Sequence, residues 1–199
     1  MKPHIINKKT YFIAGWYIDK NVCTDLIKYF ENSPHKKPGV LGVRGVSVVD
    51  KKRKLSTDLI IYTKNGDKEV LNYYTELNKV IEEYKKKYKY CSLNQNPWGI
   101  KEPWNIQKYK PKEGYFLKHC ERTGGTALDL NRHLVFMTYL NDVKEGGETE
   151  FIHQKLKIKP ETGLTLIWGA DWTFTHGGIP SPTETKYIST GWYSYHQPK

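Results

Sequence analysis

Cysteine is scarce in this chain. Cys23, Cys91 and Cys120 are three in 199 residues, an odd number without a Cys-x-x-Cys spacing, which argues against a disulfide framework and against a zinc-thiolate site. A reducing cytoplasm is therefore the expected compartment. Long apolar runs are missing too. No stretch approaches the ~18 residues of a membrane span, and the opening MKPHIINKKTYFIAGWY has no apolar core of signal-peptide length. The expectation is a soluble protein with no membrane partner. Arginine is the third shortage: only Arg44, Arg53, Arg122 and Arg132 stand among the 32 basic residues, so guanidinium forks that grip phosphate are few. The net charge of +11 comes mostly from residues 1–100, which hold 19 Lys+Arg against 10 Asp+Glu, whereas residues 101–199 hold 13 against 11. Scattered lysines read as a solvated surface. With no basic and aromatic stripe on which bases could stack, a nucleic-acid partner is not expected.

The length fits one domain with a real core. Its halves differ in pattern. In the first, Asp19 or Asn21 can cap a helix through Val22 to Glu31, with Leu26, Ile27 and Phe30 as its apolar stripe and Pro34 as its stop. Gly39–Val49 and Leu55–Tyr62 are β-branched or apolar runs on either side of the basic turn 50–54, expected to pair with each other or to form a flexible finger. Asn65-Gly66 marks a turn. From Val70, Tyr74, Leu77, Ile81, Tyr84 and Tyr88 recur at helical spacing. After Pro97 the chain becomes short alternating segments between Gly and Pro turns, read as strands over 104–109, 115–121, 133–141, 148–153, 164–168, 172–176 and 186–195. The expected fold is mainly β with flanking helices (α+β), a jelly-roll core over 101–199 with helical and strand support from 1–100.

Chemistry is concentrated in His119-Cys120-Glu121 and in His176, 57 residues further on. On a strand, residues i and i+2 face the same way, so His119 and Glu121 could grip one ion while Cys120 points away. Two imidazoles and one carboxylate are the ligand set of a non-haem iron(II) centre that keeps coordination positions open. Alternation along Lys186-Tyr-Ile-Ser-Thr-Gly-Trp192 places Lys186, Thr190 and Trp192 on one face. A cation and a hydroxyl on one wall suit the distal carboxylate of a dicarboxylate. Of the remaining histidines, His153 is the nearest competitor as a ligand, but using it would lose the spacing to Lys186.

Several ordered segments resemble the prolyl-hydroxylase branch of the 2-oxoglutarate and Fe(II)-dependent oxygenases, over roughly residues 104–195. They are Tyr109-x-Pro-x-x-Gly-Tyr115-x-x-x-His119-x-Glu121, Arg132 through Tyr139-Leu-Asn-Asp142, Gly146-Gly-Glu-Thr149-x-Phe151, the turn Pro160-Glu-Thr-Gly163, and His176 followed by Lys186–Trp192. The resemblance implies that His119, Glu121 and His176 bind Fe(II), that Lys186 binds 2-oxoglutarate with help from Tyr109, Tyr139 and Thr190, and that Trp192 and Arg132 line the substrate pocket. It also implies a dioxygenase using O2, with ascorbate as a reductant, that converts 2-oxoglutarate to succinate and CO2 while hydroxylating an unactivated C–H. A prolyl residue of a protein or peptide is the leading substrate. A free amino acid, small metabolite or nucleobase is the alternative, and a non-catalytic jelly-roll binding module the third reading. One departure stands out: the family usually has Asp where Glu121 stands, and the extra methylene demands an adjustment of the backbone or the binding mode.

Overall fold

Strands that are apolar on both faces need cover on both, and this decides the layering. The computed structural model describes residues 1–6, 10–43, 46–62, 66–92 and 96–196. In chain order the strands are β1 (Lys2–Pro3), β2 (Ala14–Tyr17), β3 (Lys37–Pro38), β4 (Leu41–Val43), β5 (Val46–Val48), β6 (Thr57–Ile61), β7 (Trp98–Gly99), β8 (Trp104–Tyr109), β9 (Arg132–Tyr139), β10 (Thr149–Phe151), β11 (Leu156–Ile158), β12 (Leu164–Gly169), β13 (His176–Gly178) and β14 (Lys186–Tyr195). The helices are α1 (Lys20–Asn32), α2 (Lys68–Lys87) and the short α3 (Ala127–Leu130). A nine-stranded sheet runs β1-β2-β12-β9-β14-β8-β6-β3 with β7 added against β14, and a small sheet runs β11-β10-β13. This is a jelly roll with helices on its outer face.

Period two assigns the faces. On β9, Leu134 and Phe136 join the cluster under the helices, while Val135, Met137 and Tyr139 join the cluster facing the small sheet. β8 behaves likewise, sending Trp104 and Ile106 to the helices and Tyr109 to the other side. α1 is capped by Asp19, which accepts from Asn21 N, and buries Cys23, Leu26 and Phe30. α2 buries Val70, Tyr73, Leu77, Val80, Ile81 and Tyr84. Tyr74 and Tyr88 of the expected stripe are only partly buried against that core, and Tyr74 stacks on Trp104. No helix among the described residues is long and apolar enough to cross a membrane. β2 and β6, from the first hundred residues, are strands of the same sheet as the later ones. At the Pro160–Gly163 turn, Gly163 has φ +87° and an added Cβ would fall 2.7 Å from Ile18 O, so this tight return to β12 depends on glycine.

Several expected elements differ. Among the described residues, segments 39–49 and 55–62 meet at one main-chain bond, Gly39 N to Ser56 O, and not as paired strands: β4 pairs with β5, and β6 pairs with β8 and β3. Residues 44–45 between β4 and β5 lie outside the described residues, as does Asn65 of the expected Asn65-Gly66 turn. The basic turn exists, with Arg53 N and Lys54 N both donating to Asp50 O, but Lys54 is buried instead of solvated. Segment 115–121 is not a strand. It makes two isolated bridges, Lys54 to Tyr115 and His119 to His176. Segment 172–176 begins as a 3-10 turn over Trp172–Phe174, because Asp171 accepts from Thr173 N and holds the chain in an Asx-type turn before β13. β2, β11 and α3 were not anticipated.

Candidate active site

The bridge between His119 and β13 delivers the distant histidine. His119 N donates to His176 O and His176 N to His119 O, each at 2.9 Å, so the two imidazoles arrive side by side with centroids 4.5 Å apart. Both rings are oriented in the same way. His119 Nδ1 lies 3.0 Å from Leu117 O and His176 Nδ1 lies 3.0 Å from Phe174 O. A carbonyl only accepts, so each Nδ1 carries the proton and each Nε2 is left with its lone pair. Those two Nε2 atoms lie 3.3 and 3.6 Å from Glu121 Oε1. One ligand atom from each of the three residues falls within 4.8 Å of the others. Neutral nitrogens and a carboxylate oxygen at this spacing fit a divalent ion such as Fe(II).

The carboxylate is held from behind. Trp192 Nε1 donates to Glu121 Oε2 at 2.9 Å. Arg132 Nη1 donates to Glu121 O at 3.0 Å and its guanidinium lies 3.7 Å from the centre of the Trp192 ring. The rest of the Arg132 fork is taken by Glu102, with contacts of 2.6–3.2 Å. Glu121 N and Arg122 N both donate to Ala170 O, which fixes the main chain beneath the ligand. This is how the longer acid is accommodated: one oxygen is tied to Trp192 and the other faces the imidazoles. Burial alone would raise the Glu121 pKa, but the Arg132 guanidinium and, whenever they are protonated, the neighbouring His119 and His176 bring it below the usual carboxylate range. Burial, then the neighbouring His119, push His176 down to about 4, so its imidazole is neutral near pH 7.

A cavity of about 780 Å³ opens above the three residues. Lys186, Ile188, Thr190 and Trp192 line it from β14, and Asn105, Gln107 and Tyr109 from β8. The expected face of β14 is therefore the one that the structure presents. Lys186 is 6 % exposed, donates to Gly147 O at 3.1 Å and lies 5.1 Å from the Tyr109 ring centre. Burial pushes its pKa down to about 8, opposed by the Glu148 charge. Tyr109 donates to Gln107 Oε1 at 2.7 Å, and Thr190 donates to Phe136 O. Tyr139 departs from expectation. Its hydroxyl is 2.6 Å from Thr149 Oγ1 and accepts from Thr149 N, and it is Thr149 that reaches the cavity wall. Tyr139 is fully buried and is not among the side chains lining the cavity, which it meets through Thr149. His153, the competing histidine, is exposed and packs edge-on against Trp172, outside the ligand group.

Sequence reasoning missed Asn105, Gln107, Thr149 and the buried group around Lys54. Counting back by twos from Tyr109 would have found Gln107 and Asn105. Thr149 carried no such signal, because its strand is three residues long.

Residues 104–194 match the model of the 2OG-Fe(II) oxygenase superfamily. The chain is 30% identical over 123 residues, 47% of its length, to the probable prolyl 4-hydroxylase 10 of Arabidopsis thaliana, and spans only 40% of that protein. Among solved structures it is similar to the viral collagen prolyl hydroxylase of Paramecium Bursaria Chlorella virus-1, with TM-score 0.67 and 18% identity, covering 96% of this chain and 100% of that one. It is also similar to the Trichoplax adhaerens prolyl hydroxylase in complex with a hypoxia inducible factor oxygen degradation domain peptide fragment, with TM-score 0.70 and 18% identity over 93% of this chain and 84% of that one. The matched segment, residues 104–194, holds the ordered motifs and the His-Glu-His group, and over that stretch the chain is similar to the 2OG-Fe(II) oxygenase superfamily and to prolyl 4-hydroxylases.

Proposed function

We propose that this protein is a 2-oxoglutarate-dependent dioxygenase that hydroxylates a prolyl residue of a protein or peptide, producing succinate and CO2. The observation that carries the reading is the convergence of two lone-pair Nε2 atoms and one carboxylate oxygen at the floor of a cavity whose wall holds a buried lysine. His119, Glu121 and His176 would hold Fe(II), which supplies the activation of O2 when bound. Lys186 would receive the distal carboxylate of 2-oxoglutarate through a charge-assisted bond, with Tyr109, Thr149 and Thr190 as polar neighbours. Tyr139 supports Thr149 from behind. Trp192 and Arg132 orient Glu121 beside the substrate space.

The cavity favours a peptide over an enclosed metabolite. Its lining includes exposed apolar side chains, Val40 and Val46 from the β4–β5 region and Leu117 and Leu128 from the chain around His119 and α3, which a peptide could cover. The free thiols Cys23, Cys91 and Cys120 support a reducing, cytoplasmic setting, and ascorbate is the reductant we propose for keeping iron ferrous. The test is succinate formation with Fe(II), 2-oxoglutarate and proline-containing peptides, followed by mass spectrometry for one added oxygen on proline. Oxygen appearing on free amino acids or metabolites alone would overturn the peptide substrate. Absence of iron binding and of turnover with any candidate would leave a binding module.

A further inference from the structure

At the cavity wall lies a buried polar group from the part of the chain outside the matched segment, with Lys54 among the lining residues and Asp58 behind it. Asp58 on β6 is 6 % exposed, and Lys54 on the preceding turn is 4 % exposed. Lys54 Nζ donates to Asp58 Oδ2 at 2.6 Å and Ser56 Oγ to Asp58 Oδ1 at 2.7 Å. Two arms leave this carboxylate. In one, Lys54 Nζ stands 5.6 Å from the centre of the Tyr115 ring, and Tyr115 stacks on His119 at 4.0 Å with an interplanar angle of 22°. The main chain follows the same route, since Leu55 N donates to Gly114 O and Phe116 N to Arg53 O. In the other arm, Gln107 Nε2 lies 3.4 Å from Asp58 Oδ2, and Gln107 Oε1 accepts from the Tyr109 hydroxyl at 2.7 Å. A carboxylate only accepts, so it turns the NH2 end of Gln107 toward itself and the carbonyl end toward Tyr109.

We propose that Asp58 is a positioning residue for both ends of the active site, holding Tyr115 against the metal ligand His119 through Lys54 and fixing the Tyr109 hydroxyl through Gln107. The inference rests on the metal and co-substrate assignments proposed above. An ion pair in the interior is a costly way to gain stability, because desolvation offsets most of the attraction. Here the pair sits where two aromatic side chains of the site need fixed orientations. Burial, then the Asp58 charge, keep the Tyr109 phenol protonated, as a donor must be.

Two variants separate positioning from plain folding. The double change Lys54→Met with Asp58→Asn removes the pair without stranding a charge, and Gln107→Met cuts the second arm alone. Mn(II) affinity and 2-oxoglutarate affinity at saturating Mn(II) are read by calorimetry, with thermal melts alongside. The double variant is expected to melt near the unaltered protein while binding Mn(II) about tenfold more weakly. Gln107→Met is expected to keep its Mn(II) affinity and bind 2-oxoglutarate roughly five- to tenfold more weakly. A stable double variant with undiminished Mn(II) affinity overturns the inference, as does undiminished 2-oxoglutarate affinity in Gln107→Met. If the double variant does not fold, Gln107→Met decides the matter. Should the unaltered protein bind neither ligand, the proposed function falls first.

Discussion

If Lys186 receives the distal carboxylate of 2-oxoglutarate as proposed, co-substrate binding weakens with rising pH in a lower window than an ordinary surface lysine would set. Burial of Lys186 brings its pKa down to about 8, so in the free enzyme the ammonium is largely intact near pH 7 and mostly lost by about pH 9. Only the protonated form gives the distal carboxylate of 2-oxoglutarate a charge-assisted partner. Affinity is therefore nearly full near pH 7, about halved at about pH 8 and down by about tenfold at about pH 9. The fall has a limit. A hydrogen bond between charged groups is worth about 1.5–3 kcal/mol, which raises the lysine pKa in the complex by roughly one to two units, and the decline flattens there. Calorimetric titration of 2-oxoglutarate into the Mn(II)-loaded protein at a series of pH values measures this directly. Lys186→Arg is the control, because a guanidinium stays charged across the range, and its binding should be weaker from altered geometry but level with pH. A flat profile in the unaltered protein, or an equal slope in the arginine variant, would refute the assignment of Lys186.

Further expectations come from single contacts. Trp192→Phe keeps a ring over Arg132 but removes the N–H that holds Glu121 Oε2; metal affinity in a chelator competition should drop by about tenfold or more, and a change under twofold would count against the role given to Trp192. Gly191→Ala places a Cβ 2.5 Å from Trp104 Cβ and 2.6 Å from Phe136 Cζ, both packed in the core under the helices; a cost of about 1–3 kcal/mol should lower the melting temperature by several degrees, and an unchanged melt would show that the sheet yields there. In the metal-free protein His176 has a folded pKa of about 4 against the ordinary 6.5. The unfolded chain then binds the extra proton between those values, so stability present above about pH 6.5 is lost as pH falls toward about 4, by about 3 kcal/mol at most. Denaturant titrations across that window test it, and equal stability at both ends would contradict the burial of His176.

The later half of the chain was legible because its strands are long and its punctuation strong. β8 and β14 begin and end at the residues read from the sequence, since Gly and Pro turns bound them and both alternate. Segment 115–121 shows the limit of that reading. Each of its bridges engages a single residue, with Lys54 on one side and His176 on the other, so the chain there touches two neighbours without joining a sheet. The first half was harder for a different reason. Segments 39–49 and 55–62 look like natural partners, yet β6 finds its neighbour in β8, some 45 residues on, and local sequence does not encode a pairing of that range. Nor does composition distinguish Lys54 from the exposed lysines beside it; only the carboxylate four residues later does, and only once the strand turns it inward.

At the site itself, the residue that broke the family's pattern proves to be the one most thoroughly specified. A longer acid at position 121 could swing its carboxylate away from the metal-binding space, and nothing in the spacing of H-x-E prevents this. What prevents it is contributed by three other places in the chain: the indole of Trp192 on β14, the guanidinium of Arg132 on β9, and Ala170 beyond β12, whose carbonyl takes both N–H groups at 121 and 122. The imidazoles need less help, because each spends its Nδ1 proton on the carbonyl two residues before it. Histidine orientation is therefore local and readable in principle, whereas the orientation of the acid is a property of the folded sheet. A Glu121→Asp variant would lose reach toward Trp192 before it lost the fold, so its metal affinity, set against that of Trp192→Phe, measures how much of the ligand's placement the sheet supplies.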